Sequence, residues 1–129
     1  MAVTKEILTL AVETGDALLR NGAEVYRVED TVLHILKAYE ITDCDVYVLS
    51  NGIFASANEN KEDACSMIRH VPLGSTHLGR IAALNQLSRE ICQEKPTHEA
   101  IKEKLIQIQN RPHYSFGIQL LIYALVSGS

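Results

Sequence analysis

The stretch Val46-Tyr47-Val48-Leu49-Ser50-Asn51-Gly52-Ile53-Phe54-Ala55-Ser56-Ala57 decides the fold class. Val46–Leu49 is a β-branched and aromatic run too short for a helix, and Ile53–Ala57 is a second strand-like run. Between them sits Asn51-Gly52. This dipeptide is a strong hairpin signal, because a type I′ turn needs positive φ at both central positions and Asn and Gly tolerate it. Asn51 and Gly52 are therefore read as structural turn residues. Asn58–Asp63 is polar and charged, as a loop would be. Ala64–Val71 then reads as a third strand, with Cys65, Met67, Arg69 and Val71 on one face and Ser66, Ile68 and His70 on the other.

Outward from the hairpin, both flanks are helical. Val3, Ile7, Leu10, Ala11, Leu18 and Leu19 recur at helical spacing as far as Arg20, with Lys5, Glu6, Glu13 and Asp16 between them. Gly15 interrupts this pattern, at a cost of roughly 1 kcal/mol relative to alanine unless a close helix crossing needs the missing side chain. Asn21-Gly22 is the next structural turn, since both residues accept positive φ where a helix ends. Val25, Val28, Val32, Ile35, Leu36 and Tyr39 then mark a second helix, expected to pair with the first. After Pro72-Leu73-Gly74, Ser75 or Thr76 can cap a third helix carrying Leu78, Ile81, Leu84, Leu87 and Ile91. Thr97 can cap a fourth, with Ile101, Leu105 and Ile108, which Asn110-Arg111-Pro112 ends.

Helices before and after a hairpin, without alternation of strand and helix, predict an α+β domain. The expected architecture is a small antiparallel sheet of about three strands packed with four to five helices, over residues 1–115. Residues 116–129 are set apart: from Ile118 to Val126 the one clearly polar side chain is Gln119. That run is too short to span a bilayer, which needs about 20 predominantly apolar residues. It reads either as a buried helix or as the start of a membrane helix. Lys102, Lys104 and Arg111 precede it, and if the run is the start of a membrane helix the positive-inside rule places the domain on the cytoplasmic face.

Composition narrows the function. The chain has 129 residues, 47% hydrophobic, with a formal charge of −4, enough for one domain with a real core. It has no basic block, so nucleic acid is not an expected partner. Cys44, Cys65 and Cys92 form no Cys-x-x-Cys pair and are read as reduced, mostly buried cytosolic thiols. His34, His70, His77, His98 and His113 lack metal-ligand spacing, and neither a metal nor another cofactor is expected.

The candidate site is the polar cluster Glu24, Arg27, Glu29 and Asp30. The acids fall in or near the first turns of the second helix, where its dipole favours negative charge. Arg27 lies three residues from both Glu24 and Asp30, within side-chain reach. Two readings stay open: a solvated, self-paired helix start, or a cluster facing a cleft in which Arg27 holds an anion.

The run Gly15-Asp16-Ala17-Leu18-Leu19-Arg20-Asn21-Gly22-Ala23-Glu24-Val25-Tyr26-Arg27-Val28-Glu29-Asp30-Thr31 closely resembles the signature that opens the threonine/serine exporter family. The Leu78–Arg89 helix, with Asn85-Gln86-Leu87-Ser88-Arg89, and the Pro112–Ser129 tail agree as well. The resemblance implies an N-terminal cytosolic domain followed by a membrane bundle that exports small amino acids, or dicarboxylates in some relatives. Partners so implied are membrane helices of the same or a partner exporter subunit and a small amino-acid or dicarboxylate ligand. On this reading the domain is a regulatory, gating or assembly module. Two alternatives stand beside it. The family's domain has been described as hydrolase-like, so an enzyme could act through the acid/Arg cluster, although the chain has neither a Gly-x-Ser-x-Gly elbow nor a His-Glu-x-x-His motif. The other is a soluble self-associating module, a homo-oligomer. The chain lacks the bundle of spanning helices that transport requires.

Overall fold

A computed structural model of the chain describes residues 4–58, 64–72 and 76–110. The elements run α1 (Thr4–Arg20), α2 (Val25–Ala38), β1 (Cys44–Leu49), β2 (Gly52–Ala57), β3 (Cys65–His70), α3 (Leu78–Glu94) and α4 (His98–Gln109). The sheet is antiparallel, in the order β1-β2-β3. This is the expected α+β class, with four helices among the described residues. Residues 116–129, expected to form an apolar helix, lie outside them, as does Arg111-Pro112.

The layering departs from expectation. Of the helices expected to pack with the sheet, only the first two do: α1 packs on β2 and β3 and α2 packs on β1, while α3 and α4 pack on the helix layer and make no packing contact with the sheet. The physical reason is α1 itself. Its buried set includes Ile7, Leu8, Leu10, Ala11, Val12, Thr14, Ala17, Leu18 and Leu19, which covers much more than one stripe. A helix apolar on most of its circumference must be enclosed on both sides, so α1 becomes the middle of the domain.

Asp16, expected among the outward polar positions, is buried by that enclosure at 6% exposure. Its carboxylate lies 3.0 Å from the Arg20 guanidinium and 3.3 Å from that of Arg69 on β3. A buried charge requires such partners. Gly15, one position earlier, allows the helix crossing that its place in the pattern implied. A Cβ there would stand 2.6 Å from Val32 Cγ2, 3.3 Å from Val28 Cγ1 and 3.4 Å from Ile53 Cδ1.

The hairpin forms, with a different turn. Leu49 pairs with Gly52, so the two-residue connection is Ser50-Asn51. Neither Asn51 nor Gly52 has positive φ, and the type I′ expectation fails. Gly52 serves close approach instead: a Cβ there would meet the Arg69 carbonyl at 3.2 Å, and the Asn51 carbonyl accepts from Val71 N at 2.9 Å. Asn21-Gly22 does turn as expected. Gly22 has φ +94°, Ala23 N donates to Leu18 O at 3.0 Å, and Gly22 N donates to Leu19 O at 3.1 Å, the paired bonds of a Schellman cap. The same pair closes α2, with Ile41 N on Leu36 O and Glu40 N on Lys37 O, both at 2.9 Å. There the left-handed position holds Glu40, φ +65°.

Helix starts were partly legible. Thr97 caps α4 through its hydroxyl, which accepts from Ala100 N. At α3 the cap is His77 rather than Thr76: the buried imidazole Nδ1 accepts from Arg80 N at 3.1 Å. Ser75 lies outside the described residues. The three cysteines form no disulfide and are half-buried rather than mostly buried.

Three outcomes test this account. Gly15→Ala should cost about 1–3 kcal/mol by overpacking, and Val32→Ala in the same chain should recover part of it in a denaturation double-mutant cycle. Glu40→Gly should stabilise the chain by roughly 1 kcal/mol by relieving the left-handed backbone. The third concerns Lys104 Nζ, which donates to Glu90 Oε2 at 2.7 Å and joins α4 to α3. This bond holds the Glu90 carboxyl below its usual range and raises Lys104, against the opposing effect of burial on each. The Glu90 contribution is therefore present above the ordinary carboxylate range and lost as pH falls through its lowered value. Glu90→Gln should flatten that acid limb in denaturation midpoints measured against pH.

Candidate functional site

Each surface stripe of α2 and α3 follows from its helical period. On α2, burial of Val28, Val32, Ile35 and Leu36 leaves Arg27, Asp30, Thr31 and His34 along another face, at steps of three and four. On α3, burial of Ile81, Leu84, Leu87 and Ile91 leaves Asn85, Ser88, Arg89 and Cys92 in the same spacing. The helices pack together, and the two stripes line one open cleft of about 520 Å³, with Tyr26 at one end. That volume is in the range of small-molecule sites.

The cleft is polar and mixed in charge. Two guanidinium groups, Arg27 and Arg89, and one carboxylate, Asp30, belong to its lining, so it carries a positive excess within a chain of net charge −4. His34 Nδ1 donates to the Asp30 carbonyl at 2.7 Å and lies 3.4 Å from its carboxylate. Arg89 is held by Gln86 Oε1 at 2.9 Å, and the Ser88 hydroxyl donates to the Asn85 carbonyl at 2.8 Å. Burial pushes the Cys92 thiol above its usual pKa, which keeps it protonated at neutral pH and a weak nucleophile. Behind it, burial, with a smaller contribution from Cys92, raises the Tyr39 phenol. Among the described residues, the buried Tyr39 hydroxyl has no hydrogen-bond partner.

The four sequence-predicted residues separate. Arg27 and Asp30 line the cleft. Glu24 is the N-cap residue of α2, makes no capping bond through its side chain, and the first turn of α2 holds no acid. It lines an adjoining hollow of about 150 Å³ with Arg27, Thr76 and Asn85. Arg27 and Asn85 belong to both hollows, which makes them neighbours along one groove. Glu29 lines neither. Glu24, Arg27 and Asp30 are exposed and Glu29 is half-buried. The α3 half, Asn85, Ser88 and Arg89, was not identified as site from sequence. Its signal was there: polar residues at the same three- and four-residue steps as the α2 stripe.

Behind the cleft, a buried network fixes where the helices meet. The Asn21 side-chain amide donates to Ala17 O at 2.7 Å and to Gln109 Oε1 at 3.1 Å, while its Oδ1 accepts from the Arg80 guanidinium at 3.3 Å. The Asn21 carbonyl accepts from His77 N at 2.9 Å. A side chain at Gly22 is barred by Thr76, whose Oγ1 and Cα would lie 2.7 and 2.9 Å from a Cβ. Among the described residues, no group of three or more His, Cys, Asp or Glu is arranged to hold a metal ion. No helix among them is long and apolar enough to cross a membrane.

Comparison with known proteins gives the chain its relatives. A family model described as "Putative threonine/serine exporter" matches residues 9–129. A protein of Mycobacterium tuberculosis (strain ATCC 25618 / H37Rv) named "Probable threonine/serine exporter" is 26% identical over 111 residues, which cover 85% of this chain and 21% of that protein. The chain thus spans about a fifth of the length of this curated relative. No solved structure matches it. With the family model covering nearly the whole chain, and both signature stretches inside the matched region, the chain belongs to the threonine/serine exporter family.

Proposed function

We propose that this chain is the cytosolic N-terminal part of a larger exporter of threonine/serine-type amino acids, and that it acts as a regulatory or gating module by binding a small solute in the α2–α3 cleft. One observation carries the reading. Two stretches far apart in sequence, one the opening signature and the other a further stretch that resembles the family, supply the two polar stripes of a single cleft: Arg27, Asp30 and Thr31 from α2, and Asn85, Ser88 and Arg89 from α3. The core accounts for Gly15, Asp16, Asn21, Gly22 and Val28 in that signature. It does not account for Arg27 or Asp30, which are exposed.

The chemistry suits a zwitterion. A guanidinium recognises a carboxylate through paired N–H groups, and Arg27 and Arg89 can supply it. Asp30 is the complementary anion for an ammonium group, and Asn85 and Ser88 offer neutral polar atoms. The basic residues Lys102, Lys104 and Arg111 before the apolar 118–126 run support a cytoplasmic position. The transport step itself belongs to the membrane part of the full-length protein, whose helices are the partners of this domain.

Thermal unfolding with threonine, serine or succinate tests the reading. A solute at about one hundred times its Kd should add roughly 2.7 kcal/mol to apparent stability, and Arg27→Ala should abolish that gain while leaving the unliganded transition nearly unchanged. In the full-length exporter, Arg27→Ala should impair export without loss of protein. An absence of stabilisation by any of these solutes, together with wild-type export by the variant, would overturn the proposal.

A further inference from the structure

The sheet has one covered and one open face. Cys44, Val46 and Val48 of β1, Ile53, Ala55 and Ala57 of β2, and Cys65, Met67 and Arg69 of β3 alternate toward the helices. The alternate set points away, and no described element packs on it. Its middle row is Tyr47, Phe54 and Ile68, in direct cross-strand register, and these side chains are 62%, 41% and 78% exposed. Leu49, 51% exposed, stands in the next row with Gly52 and His70. Single exposed apolar residues are ordinary, whereas four sharing one face form a patch of roughly 450 Å², the size of the largest apolar patch on a typical monomer, which is often functional.

The charge on this face selects the occupant. The rows contain no Lys or Arg, which removes the attraction that anionic lipid or nucleic acid would need. Asp45 occupies one corner, with Ser56 and Ser66 in its row, and His70 occupies the diagonally opposite corner. Such a face is complementary to itself. A two-fold axis along β2 lays Phe54 on Phe54 of a second copy, Tyr47 on Ile68, Leu49 on His70 and Asp45 on Ser66. Apolar groups then meet apolar groups at the centre, and no two like charges are opposed. We infer that the outer face of the sheet is the interface of a homodimer, with two sheets stacked in the aligned manner of a β-sandwich.

Area sets its strength. Two copies of the apolar patch bury roughly 900 Å², and the polar corners bring the total to about 1,000–1,200 Å², the lower end of specific interfaces. The dimer is therefore reversible, and Kd values in the micromolar range are expected rather than nanomolar ones. The face lies across the helix layer from α3 and so leaves the α2–α3 cleft open in both copies. The inference stands independently of the cleft's ligand.

Sedimentation velocity on the 129-residue chain is the test. The wild type should be dimeric at about 100 µM and dissociate on dilution. Ile68→Glu and Phe54→Glu should each yield a monomer with unchanged circular dichroism, whereas Ile106→Glu, at an exposed apolar position on α4, should leave the dimer intact. A wild-type chain that stays monomeric at that concentration overturns the inference. So does association that persists in both sheet variants, which would assign it to another surface such as the 118–126 run. As a positional check, Phe54→Cys in a chain with Cys44, Cys65 and Cys92 changed to Ser should be joined between copies by a short bis-maleimide cross-linker, because facing backbones of stacked sheets lie about 10 Å apart, too far for a disulfide. Ile106→Cys in the same background should not be joined.

Discussion

One buried side chain holds this domain in register. Asn21 closes α1, and its amide is shared among Ala17 of α1, Gln109 of α4 and Arg80 of α3. An amide group that is 3% exposed must satisfy its donors and acceptor inside the protein, so those helices are brought to a fixed meeting point. Gly22 acts at the same place through backbone conformation. Its positive φ turns the chain from α1 into α2, and Thr76, pressed against it, leaves no room for a side chain. The direction of α2, and with it the side of the domain on which Arg27 and Asp30 appear, follows from these two residues.

A second buried polar contact ties the sheet to the same helix. Asp16 takes Arg20 from its own helix and Arg69 from β3. The attraction offsets the desolvation of the charges, so the contact is better understood as specifying register than as supplying much net stability. Arg69 can make it only if β3 presents its odd-numbered residues to α1, and a one-residue slip would point the guanidinium outward. That register also sends Ile68 outward, in line with Phe54 and Tyr47. The inner ion pair and the outer apolar row are two consequences of one strand alignment.

The cleft and the open sheet face lie on opposite sides of the central helix layer. Binding in the cleft bears on α2 and α3, and association across the sheet bears on β1, β2 and β3; α1, enclosed by both, contacts α2, α3, β2 and β3. A solute clamped between α2 and α3 would favour one relative placement of those helices, the kind of differential contact a gating module uses. Within the cleft the Cys92 thiol is kept protonated by burial, and the Asp30 carboxylate is exposed to water.

Local patterns determined much of this protein. The α1, α2, α3 and α4 apolar periods, the strand runs either side of Ser50-Asn51, the Gly22 turn and the Thr97 cap depend on interactions within a few residues, which sequence spacing records directly. That Arg27 and Asp30 share one face of α2 was legible for the same reason, since they are neighbours on one turn of helix. Other features depended on what came to lie beside what. The burial of Asp16, the turn moved from Asn51-Gly52 to Ser50-Asn51, the exclusion of α3 and α4 from the sheet, and the addition of Asn85, Ser88 and Arg89 to the cleft all rest on contacts between residues distant in the chain. A helix period states which face is apolar but not what will cover it. Only packing, through the enclosure of α1 and the meeting of α2 with α3, decided which polar residues would be buried, which would face each other, and which sheet face would stay open.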